Sequence, residues 1–152
     1  MYTREESSRL RQEFWTTFGR YMSPVPSVEG NNVNWINYHT GVNNLFFRMN
    51  ADGSEASIAI TLEHRDLHLQ AAYFEKLRTF KKMLHAELQE EWVWKLHDET
   101  NNRIISRVYK ALPDVSVLNK ETWPEIISFF KPRIVALDRF WENAKYGFEE
   151  SE

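Results

Sequence analysis

The apolar positions of the chain change period several times, and each change marks a new element. Between Arg4 and Met22, the residues Leu10, Phe14, Trp15, Phe18, Tyr21 and Met22 recur at helical spacing with charges between them. That pattern predicts an amphipathic helix over 4–22. The segment SPVPSVEGNN ends it, because Pro24 and Pro26 cannot extend a helix and Gly30 beside two asparagines favours a turn. Period-two stretches follow in VNWINYH (33–39), NLFFRM (44–49) and EASIAITLEH (55–64), which predict three strands. The last two are joined through NADG, a hairpin turn in which Gly53 makes a positive φ inexpensive. In the third strand Ile58, Ile60 and Leu62 face one side, with Ser57, Ala59 and Thr61 on the other.

Asp66 then reads as the N-cap of a long helix running to about Glu90, with Leu69, Tyr73, Leu77, Phe80, Leu84 and Leu88 on its apolar face. EWVWKLHDE (91–99) and RIISRVYKAL (103–112) predict a second hairpin, joined through Thr100, Asn101 and Asn102. Thr122-Trp-Pro-Glu125 has the spacing of a capping box. It opens a helix kinked at Pro132 and reaching about Tyr146, with Ile134, Leu137, Phe140 and Trp141 inward. The order is therefore α-βββ-α-ββ-α. It predicts a single α+β domain over 1–152, with three helices on a mixed or antiparallel sheet of about five strands.

Composition narrows the chemistry. Aromatic residues make up 14% of the chain, a share that must go into a core or an interface. There is no cysteine, which removes disulfides, thiolate nucleophiles and cysteine-based zinc sites, and which suits a reducing compartment. Net charge is −3 with acids and bases interspersed, so no broad field invites nucleic acid or an anionic membrane. No segment approaches the ~20 apolar residues of a membrane span, and the N-terminus has no apolar signal region. These features lead us to expect a cytoplasmic protein with no membrane attachment.

Four stretches, RQEFWTTFGRYM (11–22), EEWVWK (90–95), SRVYKAL (106–112) and NKETWPEIISFF (119–130), carry a resemblance that spans nearly the whole chain. Together they resemble the bacterial family known as domain of unknown function 4268. The motifs are structural: aromatic helix positions, a tryptophan-bearing strand, a Ser-Arg-x-Tyr strand and a Trp-Pro helix start. The resemblance implies a fold and a bacterial origin, and it implies no activity. Relatives of this kind also occur as modules behind nuclease-like or other DNA-handling domains, which gives the resemblance a context in DNA handling or defence.

Several groups could carry chemistry, and each has a plainer reading beside it. A helix, three antiparallel strands and a second helix is how restriction-endonuclease-like cores begin. Such nucleases place one acid on the second core strand and Glu-x-Lys on the third, to hold Mg²⁺ and position water. Here the third strand ends in Glu63-His64-Arg65, with Arg65 where lysine is needed, and arginine cannot act as a base. The second strand holds no acid; Asp52 and Glu55 are the nearest candidates. The plain reading has Glu63 and Arg65 solvating a strand end. His64 and His68 have metal-like spacing, but the helix starts between them, so no metal site is expected. No glycine-rich phosphate loop or nucleophile elbow is present, and no cofactor is expected.

Binding offers more. Arg78 and Lys82 lie one turn apart on the long helix and are the nucleic-acid candidates, although a solvated helix face is the default explanation for them. Trp92 and Trp94 alternate on a strand with Leu96 in line, and Trp35 raises the same question on the first strand. If they miss the core they form an apolar interaction patch. The last sheet edge must also be hidden, and pairing with a second copy or another protein would do so. The expectation is thus a non-catalytic interaction or accessory module, self-associating as a homodimer or holding a protein partner. A degenerate restriction-endonuclease-like, metal-dependent nuclease is the alternative.

Overall fold

Two β-hairpins lie side by side and form one antiparallel sheet in the computed structural model, which describes residues 2–149. The first hairpin is β1 (Leu45–Ala51) and β2 (Glu55–Leu62); the second is β3 (Val93–Thr100) and β4 (Arg103–Pro113). Their spatial order is β1-β2-β4-β3, so β2 and β4 are central and β1 and β3 are the two edges. Around the sheet run α1 (Arg4–Met22), α2 (Leu67–Arg78), α3 (Lys81–Leu88) and α4 (Trp123–Ala144). The α+β class holds, but the expected five strands and three helices become four and four among the described residues.

Residues 33–39 are the missing strand. Two anchors, rather than sheet pairing, hold this segment in place. The Trp35 indole is buried and donates to the Val25 carbonyl at 2.9 Å, and the Tyr38 hydroxyl donates to the buried Asp138 carboxylate on α4. The Asn34 side chain, just before Trp35, accepts from the Asn37 N–H at 3.1 Å and so breaks the extended path. Among the described residues two strands precede α2, so they do not form the three-strand opening of a restriction-endonuclease-like core.

The expected long helix is split at Thr79 and Phe80. The Thr79 hydroxyl donates to the Lys76 carbonyl at 2.6 Å, and Phe80 leaves the helical region with φ −100°. The turn lets Phe80 pack on Phe140 and Phe148. A Cβ at Gly147 would lie 2.7 Å from that ring, so only glycine permits the approach. At the start of α2, Leu69 is exposed, contrary to its place in the apolar pattern, and Gln70 and Phe74 point inward instead.

Other local expectations match more closely. Asp66 caps α2 by accepting from the N–H groups of His68 and Leu69. Asn101 and Asn102 take positive φ in the β3–β4 turn, which suits a two-residue hairpin. The β1–β2 turn works differently from its reading, because Gly53 is not in a positive-φ conformation. The Asp52 carboxylate organises that turn by accepting from the N–H groups of Ser54 and Glu55. Thr122 does not close a capping box on α4; its hydroxyl instead ties to Ser116.

The core lies between the helices and one sheet face. Leu45, Phe47, Ile58, Ile60, Leu62 and Val108 line the sheet side. Against them pack Ile134, Leu137, Phe140 and Trp141 of α4, as their spacing predicts. Phe14 and Phe18 of α1 close the far side against Phe130, and Trp123 meets Phe14 edge-on at 5.4 Å. Such pairs add about 0.5–1.5 kcal/mol each beyond the area they bury. On the opposite sheet face Arg48, Asn50, Val93 and Lys95 are exposed.

Candidate functional site

The small residues of β2's outer face end at a carboxylate. Glu63 follows Leu62 directly, and its side chain is only 8% exposed. Arg48 of β1 holds it with a two-pronged grip, Nε to Oε2 at 3.0 Å and Nη2 to Oε1 at 3.1 Å. Arg103, at the start of β4, donates to Oε1 at 2.8 Å, and the Thr61 hydroxyl donates to Oε2 at 2.6 Å. Burial alone would raise the carboxyl pKa. The hydrogen bonds from Arg48, Thr61 and Arg103 overcome it and leave the group lowered to about 2. Glu63 is thus a clasp, charged at neutral pH, that joins the free edge of one hairpin to the tip of the other.

This clasp forms one wall of an open cleft of about 920 Å³, to which Phe46, His64, Arg65, Leu67 and Ile104 also contribute. Arg65 lines the same cleft as Glu63, but the ion pairs of Glu63 go to Arg48 and Arg103. Asp52 and Glu55 do not reach it. They sit at the other end of β2, where Asp52 is engaged in its own turn and has a lowered pKa through the Ser54 N–H. Eight positions of extended strand separate Glu55 from Glu63, roughly 26 Å. No group of three metal-ligating side chains occurs among the described residues. His64 is buried, its ring centroid 4.5 Å from that of Tyr73, and burial lowers its pKa; His68 lies exposed in α2.

A second polar group sits on the inner face. The side chain of Gln70 is fully buried. Its Nε2 donates to the carbonyls of His64 and Ile104, and its Oε1 accepts from the Ser106 hydroxyl at 2.6 Å. Ser106 in turn accepts the His97 N–H at 3.0 Å, at the point where β3 bulges between Lys95 and Asp98. All four donors and acceptors are satisfied, so the group is a staple between α2 and the second hairpin. Nothing in the apolar spacing singled out Gln70. The one available signal was a polar residue at an inward helical position, four after the Asp66 cap.

The aromatic candidates turn mostly inward. Trp35 is core. Trp92 precedes β3 and is buried, and its indole donates to Glu90, which Arg133 of α4 grips at 2.7 and 3.0 Å. Trp94 is half-buried against Phe74, with Arg78 and Lys81 over its ring. The bulge leaves Leu96 exposed, out of line with the tryptophans. Arg78 ends α2 and pairs with Glu75, while Lys82 belongs to α3 beyond the break, so the two form no continuous basic stripe.

Along the outer side of β1 lies a further groove of about 600 Å³. The segment 36–44 walls it opposite the strand, with Trp15 among the lining residues. No helix among the described residues is long and apolar enough to cross a membrane. Comparison with curated proteins and with solved structures gives no match. The family described as Domain of unknown function (DUF4268) matches residues 10–145, the span that holds the Glu63 clasp, the Gln70 staple and both hairpins, and the chain belongs to that family.

Proposed function

We propose that this chain is a non-catalytic interaction module. One observation carries the reading: Glu63, the acid best placed for metal chemistry, has its carboxylate oxygens occupied by two guanidinium groups and a hydroxyl, and among the described residues no second acid lines its cleft. A metal-assisted hydrolase needs carboxylates converging on one ion, and a carboxylate already neutralised by arginine has little to offer it. What the surface does offer is an uncovered sheet face and strand edges, features that proteins use to hold other proteins. The modules that resemble this chain behind DNA-handling domains supply the setting, an accessory part of a bacterial DNA-handling or defence assembly. The cysteine-free composition suits work in the cytoplasm.

The test is cleavage. Wild-type protein and Glu63→Ala are incubated with single- and double-stranded DNA in Mg²⁺ and in Mn²⁺. Neither is expected to cut above the protein-free rate. Cleavage by the wild type that disappears in a folded Glu63→Ala variant would sink the proposal.

A further inference from the structure

The two hairpins leave β1 with a free edge, and the register shows which backbone groups that edge presents. The Glu63 N–H donates to the Asn44 carbonyl and the Asp52 N–H to the Glu55 carbonyl. The pairing between them runs Leu45 with Leu62 through Ala51 with Ala56. In an antiparallel ladder the hydrogen-bonded pairs alternate, so Phe46, Arg48 and Asn50 bond to β2 while Leu45, Phe47, Met49 and Ala51 turn outward. The outward groups of Leu45 are taken by Val42 and by the Thr40 hydroxyl. Among the described residues no hydrogen bond reaches the outward groups of Phe47 and Met49, and both residues line the 600 Å³ groove.

We infer that this groove binds an extended segment of another protein, apolar on one side and acidic on the other, which adds to the sheet as a strand beside β1. The inference rests on the non-catalytic reading and names its partner. Main-chain bonding supplies affinity in such complexes and alternate side chains supply choice. On the inner side the groove offers Trp15, Ile36 and Met49, each half-buried, to apolar side chains. On the outer side Arg48 is half-exposed, stacked 4.0 Å over Phe46 and fixed in place by Glu63. Arg48 and Arg103 share the single charge of Glu63, so the cluster keeps one net positive charge. No carboxylate lines the groove among the described residues, and that balance is complementary to an acidic side chain. A second copy fits less well. Its own 36–44 segment would meet this one before the strands paired, and a pairing centred on Arg48 would oppose two guanidinium groups.

The experiment is a selection of displayed random peptides on the wild-type protein. The peptides are about eight residues long, enough to run beside β1 at roughly 3.3 Å per residue. Winners are then measured by fluorescence anisotropy against two variants. Met49→Pro removes one outward donor at an edge position that tolerates proline. Asn37→Glu/Asn43→Glu adds negative charge at two exposed groove residues and covers the case in which the proline variant fails to fold. The expected winners alternate apolar and acidic residues, and they bind each variant about tenfold more weakly, as the loss of one bond or of charge matching implies. The inference is overturned by an empty selection, or by winners that bind both variants as well as wild type. A dimer lost in Met49→Pro, or preferential binding of a single-stranded oligonucleotide at this edge, overturns it as well. In each of these outcomes a protein that still cuts no DNA keeps its non-catalytic reading.

Discussion

The two edges of the sheet are built in opposite ways. β3 is interrupted by a bulge between Lys95 and Asp98, and His97 takes a positive φ there. Its surface carries Lys95, Asp98 and Glu99, and Arg107 of the neighbouring strand ties Asp98 down at 2.7 Å. A bulged, charged edge cannot accept another strand in register. β1 is seven residues without a bulge or proline, its one charged side chain is held by Glu63, and its outward amides face a groove. One edge is guarded and the other is left open, and the polar clusters divide along the same line. The Gln70 staple fixes the bulge of β3, and the Glu63 clasp steadies β1. The polar groups of the staple and the clasp build the contrast between the edges.

The largest expected effect comes from breaking the guarded edge. Gln70→Ala leaves two carbonyls and the Ser106 hydroxyl without partners and opens a cavity, and is expected to cost about 2–4 kcal/mol in urea unfolding. Amide exchange in β3 should rise more than in β1. Glu63→Ala should cost less, about 1–3 kcal/mol, because the two arginines it releases are half-exposed and regain water. Its pH dependence has a definite sign. The carboxyl pKa is lowered by folding, so the stabilisation is fully present above the unfolded value of roughly 4.3. It fades as pH falls towards about 2. Wild type and Glu63→Ala should therefore differ most near neutrality and converge in acid. An equal gap at pH 7 and pH 2.5 would contradict the clasp. The smallest effect is a sharpening: Asn102→Gly, at φ 63° in the β3–β4 turn, should raise stability by a few tenths of a kcal/mol without touching β1.

The chain's own pattern revealed α1 and β2, where Leu10, Phe14, Phe18 and Met22, and Ile58, Ile60 and Leu62, bury one face. It also revealed the start of α2 and the second hairpin, which the Asp66 cap and the asparagine turn announce locally. It misled where the same spacing had another cause. VNWINYH reads as a strand, yet Trp35 and Tyr38 each reach a separate partner, Val25 and Asp138, from an irregular segment. Leu69 through Leu88 reads as one helix because nothing local announces that Phe80 will turn towards Gly147. The clasp was half legible. Thr61 and Glu63 share a face by spacing, and the turn at Asp52 sets the register that places Arg48 near them. Arg103 comes from the other hairpin, forty residues on, and only the packing of β4 on β2 brings it there.

The contrast between the edges is tested most directly by residue-resolved amide exchange on the free protein. The Phe47 and Met49 amides should exchange rapidly while those of Phe46 and Arg48, which alternate with them along β1 and bond to β2, are protected. Equal protection at all four positions would mean that the β1 edge is already covered, and would contradict the account.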